Sequence, residues 1–272
     1  MIIDGHAHAA GVFFEKDSLV AELDRLGVDK IVLAPMGVRQ DPAYSKENMD
    51  TVFANTNINN VEQKINEFVS GLSNIIYDAP NKYLFSLKQK CPERIIQYYW
   101  ANPNDPHVME YLEKYLHLWN FSGVKLHQVV ADFKTDQESM HQIAEFCEAH
   151  DLPLFIHLFK QKNVFRFMDI CTEHQHTRFI VGHMIGYDIL QEHALGLDNF
   201  WFDISPSWLV PKKILNKALA YYGADRLMLG SDTPLGSNKN LEKNLKRVRA
   251  LAISDSDKDK ILGLNLQALL NL

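Results

Sequence analysis

The sequence predicts an α/β protein folded as a single (β/α)8 TIM barrel, and three observations predict it. Short β-branched or aromatic runs alternate along the chain with longer amphipathic stretches, a pattern of strands separated by helices. There are eight such runs, and parallel strands joined by right-handed crossovers close a barrel at that number. The competing architecture, an open doubly wound sheet, carries a Gly-rich phosphate loop after its first strand, and G-H-A-H-A-A-G at 5–11 matches that fingerprint poorly.

Taken in order, the first strand is MIID (1–4), followed by the helical pattern SLVAELDRLG (18–27) with apolar residues recurring at three and four. The second is KIVLAP (30–35). After it, MGVRQDPAYSKENMDTVFANTNINN (36–60) is rich in Asn, Asp and Ser, and a connection so long predicts a functional insertion, a lid over the C-terminal mouth of the barrel. RIIQYYWAN (94–102) and FSGVKLH (121–127) are the third and fourth strands. The helix ESMHQIAEFCEAH (138–150) leads to LPLFIHL (152–158), and VFRFMDICTEH (164–174) leads to RFIVGH (178–183). NFWFDIS (199–205) and RLMLGSD (226–232) complete the set. With 272 residues, 46% of them hydrophobic, the chain can bury a large core as one domain spanning 1–272.

Charge and cysteine content narrow the function classes. A net charge of −6, with no long basic run, gives no reason to expect nucleic acid, and no window approaches a membrane span of about 20 apolar residues. Cys91, Cys147 and Cys171 form no close pair, which suits a reducing cytoplasm better than a disulfide scaffold. The expected partner is a small-molecule substrate, and self-association is left open.

Chemistry in such barrels sits at the C-terminal ends of the strands, so the residues closing each run carry the most information. On a strand, His6 and His8 leave from the same face. Lys125 and His127 close the fourth run, His157 lies in the fifth, His183 ends the sixth and Asp232 the eighth. Five of the 12 histidines thus fall at strand ends that the barrel gathers at one mouth. Several neutral imidazoles with a carboxylate make a site for one divalent ion, zinc first. Trp100 and Asn102 end the third strand, where they can line a pocket. His107, His117, His141, His150, His174, His176 and His193 lie in helical or loop patterns and are expected on solvated faces. A serine nucleophile elbow, G-x-S-x-G, is absent from the sequence.

The ordered series H-A-H, F-I-H, V-G-H and G-S-D-T-P resembles the amidohydrolase superfamily, in particular its amidohydrolase-related branch, and the closing ILGLNLQALLNL is similar to that branch's final helix. The resemblance spans the whole chain. It implies that His6, His8 and His157 are metal ligands, that Asp232 is a ligand or proton acceptor, and that His183 is a catalytic histidine or one supporting the ligands. In several amidohydrolase branches a lysine ending the fourth strand is carbamylated and bridges two metals. The branch resembled here is mostly mononuclear, so Lys125 is read as facing substrate or as structural.

Together these readings lead to a metal-dependent hydrolase in which metal-activated water cleaves a C–N or C–O bond of a small carboxylated or cyclic substrate. The alternative is a decarboxylase of the semialdehyde type. Benzoate-type decarboxylases of the family tend to show E-x-H on the first strand, and H-A-H differs from them. A catalytically silent binding protein is a third reading, disfavoured because every expected ligand is present.

Overall fold

The computed structural model describes residues 1–36 and 78–272; the lid expected over 36–60 lies outside them from residue 37 onward. Eight strands are present: β1 (Ile3–His8), β2 (Lys30–Ala34), β3 (Ile95–Trp100), β4 (Gly123–His127), β5 (Leu154–His157), β6 (Phe179–Val181), β7 (Phe200–Asp203) and β8 (Leu227–Met228). They form one sheet in chain order, every neighbouring pair parallel. Around them lie α1 (Lys16–Leu26), α2 (Asp78–Lys90), α3 (Val108–Trp119), α4 (Glu138–Ala149), α5 (Gln161–Glu173), α6 (Tyr187–His193), α7 (Lys212–Tyr222) and α8 (Asn240–Arg249).

Local sequence explains why these segments become helices against a sheet. In α4 the buried Met140, Ile143, Ala144 and Cys147 fall at intervals of three and four, one apolar stripe along the helix. In α1 Leu19 and Leu23 do the same, and Gly27, with φ 66°, ends the helix in the left-handed conformation glycine tolerates best. Each fully buried Leu or Ile of this kind contributes roughly 1.5–3 kcal/mol by leaving water.

Two apolar layers result. One lies between sheet and helices. The other fills the barrel with Ile3, Val32, Ile96, Tyr98, Phe155, Ile180 and Met228, and Leu266 and Leu269 of the C-terminal helix Asn265–Leu269 pack against it. Within β2, Ile31 and Leu33 belong to the outer layer and Val32 to the interior, the alternation a strand imposes. Tyr98 fits inside because its neighbour on β4 is Gly123, where a Cβ would stand 2.5 Å from the tyrosine ring.

The seam between β8 and β1 is less regular than the other pairings. The expected eighth strand, 226–232, is regular only over Leu227–Met228. Beyond it the chain still bonds to β1: Gly5 N donates to Leu229 O at 2.9 Å, His8 N to Thr233 O at 2.9 Å, and Ser231 N and Asp232 N to His6 O at 2.9 and 2.7 Å. The pairing of β1 with β2 also shifts between Asp4 and Ala7. Irregularities of this kind re-aim side chains, and here they flank His6 and Asp232.

Candidate metal centre

His6 and His8 end β1 side by side, both buried, with ring centroids 5.4 Å apart. Each ring is held by its Nδ1. That of His6 lies 2.9 Å from Asp203 Oδ2 and that of His8 3.1 Å from Pro35 O. A carboxylate or a carbonyl can only accept, so in the neutral ring Nδ1 carries the proton and Nε2 presents its lone pair. Burial, followed by the charge of Lys125, holds His6 well below the usual imidazole range and keeps it neutral. His183 is oriented in the same way through its ring nitrogen, its Nδ1 2.7 Å from Ser205 O.

Asp232 completes the group. Its Oδ1 is 3.6 Å from His6 Nε2 and 3.4 Å from His8 Nε2, buried and without a hydrogen-bond partner among the described residues. Burial alone would raise this carboxyl; the positive charge that His183, His8 and His6 carry when protonated lowers it below the ordinary carboxylate range, and a cation held between neutral rings would supply that charge instead. An ionised oxygen with no donor, facing two imidazole lone pairs, is an arrangement a divalent cation satisfies. The ligand atoms of His6, His8 and Asp232 lie within 4.8 Å of one another.

His157 stands apart from that tight group. Its ring stacks on His127 at 3.9 Å between centroids and meets His183 edge-on at 4.7 Å. Trp100 stacks in turn on His127, 5.6 Å away with 20° between planes, so Trp100, His127 and His157 form a continuous aromatic series at the strand ends. Lys125 is fully buried over the Phe155 ring, and its Nζ lies 2.8 Å from His6 Nε2. Burial lowers it to about 7, against the pull of Asp232 and Asp203. Amine and cation would compete for the same lone pair on His6.

One member of the site escaped sequence reasoning. Asp203, the last residue of β7, accepts from His6 Nδ1 at 2.9 Å, His183 N at 3.2 Å and Ser205 Oγ at 2.7 Å through Oδ2, and from Ser205 N at 2.9 Å through Oδ1. It therefore fixes two histidines at once. The available signal was a carboxylate closing an otherwise apolar strand, F-W-F-D. The backbone here is also unusual: His183, Met184 and Asp232 have φ of 56°, 52° and 57°, left-handed values that cost a non-glycine residue roughly 1–3 kcal/mol and cluster at functional sites. Away from the mouth, the expectation that His174 is solvated is corrected: it is 8% exposed, because it ends α5 with Asn199 Nδ2 bonded to its carbonyl and the His141 ring against its own.

A family model described as Amidohydrolase, Amidohydro_2, matches residues 3–272. Among curated proteins no match was found. Solved structures match over nearly the whole chain. A 2,6-dihydroxybenzoate decarboxylase from Rhizobium is 16% identical, with 99% of this chain and 98% of that one covered and a TM-score of 0.71. A dihydroxybenzoic acid decarboxylase from Polaromonas sp. JS666, with bound manganese and the inhibitor 2-nitroresorcinol, is 16% identical over 100% and 97%, TM-score 0.70. A 4-oxalomesaconate hydratase from Rhodopseudomonas palustris is 14% identical over 100% and 96%, TM-score 0.68. These identities speak to the fold. The expectation of a hydrolase cleaving a C–N or C–O bond is corrected in favour of its decarboxylase alternative, because the matched structures named for a particular substrate are decarboxylases and a hydratase, the others bearing only the general name amidohydrolase or none. The physical reason is that H-x-H with a distant aspartate determines where a metal sits, not which bond breaks.

Proposed function

The chain belongs to the amidohydrolase family, Amidohydro_2, and on that premise we propose that it is a metal-dependent decarboxylase releasing CO2 from a small, flat, hydroxylated or conjugated carboxylate. The reading is carried by the buried group of His6, His8 and Asp232 at the mouth of a barrel that resembles decarboxylases along its length. It is supported by the aromatic series Trp100–His127–His157, which offers a planar substrate a wall to lie against. No helix among the described residues is long and apolar enough to cross a membrane; a cytoplasmic location remains part of the proposal, supported by three unpaired cysteines.

His6 Nε2, His8 Nε2 and Asp232 Oδ1 would hold one divalent ion, with His157 kept as the further ligand the family resemblance implies. Two imidazoles and a carboxylate suit zinc, and manganese is the ion bound in the Polaromonas structure. When bound, the ion supplies positive charge that orients the substrate carboxylate and steadies the electron density left behind. In the reaction the bond from carbon to the carboxylate breaks, the electron pair stays on that carbon, and a proton must take the place of CO2. Asp232, ionised and facing the site, takes this proton from solvent and delivers it to the vacated carbon. Lys125 contributes nearby charge for an anionic substrate, and His183, held by Ser205 and Asp203, presents Nε2.

The test is a panel of hydroxybenzoates and unsaturated acids incubated with metal-loaded protein in D2O, with CO2 and product deuterium both followed. Release of CO2 with one deuterium on the vacated carbon is expected. Turnover of any substrate without CO2 would overturn the reading.

A further inference from the structure

A second group of ligating atoms converges outside the barrel, where α4 meets α5. His141 lies near the start of α4, while Glu173 and His174 close α5. One atom from each lies within 4.8 Å of the other two. His141 Nδ1 is 3.0 Å from His174 Nε2 and 3.4 Å from Glu173 Oε2. Ligands about 2.0–2.1 Å from a tetrahedral zinc ion stand roughly 3.3–3.5 Å from one another. The observed separations lie close to that range, so only a small opening of the histidine pair admits the ion.

The scaffold behind these atoms is rigid. His174 is buried, its carbonyl accepts from Asn199 Nδ2 at 2.9 Å and Thr177 N at 3.1 Å, and its N–H donates to Ile170 O at 2.9 Å. Ligands on helix ends secured in this way are pre-positioned. The group borders a surface cavity of about 330 Å³, lined by Asp136, His141, Asp169 and Glu173 among others. Arg166 pairs with Asp136 at 2.9 Å, leaving Asp169 and Glu173 to give the cavity a negative potential. The two nitrogens and one carboxylate oxygen select a transition ion over magnesium or calcium, which prefer oxygen alone.

We propose that His141, Glu173 and His174 form a peripheral site for a divalent transition metal of the zinc type, clamping α4 to α5 and sharing no residue with the centre at the barrel mouth. A bound ion stabilises the fold by mass action.

Zinc per chain is measured after dialysis against free zinc buffered at about 1 µM, where a site with micromolar affinity is about half filled and a tighter one nearly full. The proteins compared are the wild type, His141→Ala, Glu173→Gln and, as a control at the mouth, His8→Ala. His141→Ala should bind less zinc than the wild type, by about half an equivalent for a micromolar site and by about one for a tighter site, while keeping its turnover. Glu173, more than half exposed, can be replaced without disturbing the core, and Glu173→Gln should weaken the same site. Zinc should raise the melting temperature of His8→Ala through the peripheral site, and should raise that of His141→Ala by less than that of the wild type, since only the mouth is left to bind it. Zinc content unchanged in both His141→Ala and Glu173→Gln would overturn the proposal. If the mouth takes no metal, wild type binds one equivalent and His141→Ala none, which refutes the functional reading and leaves the peripheral site standing.

Discussion

Asp232 and Asp203 both touch His6, yet they ask different things of a substitution. Asp232→Asn keeps the shape and an oxygen that can coordinate but removes the carboxylate proposed to move a proton. Turnover should fall on the order of a hundredfold or more with most of the metal retained, as a lost general acid–base predicts; metal analysis beside initial rates checks it. Asp203→Asn presents an amide that can donate where His6 Nδ1–H and Ser205 Oγ–H need an acceptor. Groups that orient metal-binding histidines are worth roughly 10–100-fold in metal affinity or activity. Asp203→Asn should therefore weaken metal binding in a competition titration, unlike Asp232→Asn. His6 and His8 were legible in the sequence because strand periodicity aims both at the mouth; Asp232, which lies past the regular part of β8 and is turned by a left-handed backbone, was legible through its G-S-D-T-P context. Asp203 was not, since its importance depends on His6 and His183 arriving from β1 and β6.

At the scale of the element, two glycines show how closely the strands are fitted. A Cβ on Gly230 would stand 2.1 Å from Asp203 Oδ1 and 3.0 Å from His6 Cβ, and one on Gly123 would meet the Tyr98 ring at 2.5 Å. Both replacements overpack, but in different places. Gly123→Ala should cost about 1–3 kcal/mol of stability with the metal site intact, whereas Gly230→Ala should also displace Asp203 and lower metal affinity. Denaturant midpoints and metal titration of the two variants separate these outcomes. Helix positions in α1, α4 and α5 were readable from apolar spacing. The regular part of β8 was overestimated because G-S-D after Leu229 looks extended; it bonds to β1 through scattered contacts rather than a ladder, and Asp232 turns into the left-handed region.

Across the whole molecule, the barrel and its helices bury all three cysteines. Burial pushes each thiol above its ordinary range. A raised thiol pKa means less thiolate at a given pH, and burial removes access as well. A disulfide reagent at pH 8 should therefore label none of the three in native protein and all three after denaturation, which a spectrophotometric thiol count checks; rapid labelling of the native chain would contradict this packing. Eight alternating units made the barrel readable from the sequence. The reaction was not readable, because one metal-binding pattern serves hydrolysis, hydration and decarboxylation alike.

The seam has a consequence for how the chain is made. His6 O accepts from Ser231 N across 225 residues of sequence, and Leu229 N donates to Ile261 O still further along. A ribosome delivers β1 first and its second neighbour last, at roughly 5–20 residues per second. For most of synthesis the histidine-bearing strand has β2 on one side and nothing on the other. The barrel can close only after β8 and the segment around Ile261 have emerged, so the Asp232 carboxylate arrives in the same late step that completes the wall. Nascent chains halted before residue 226 should therefore capture no metal at the mouth, however well their earlier helices have formed.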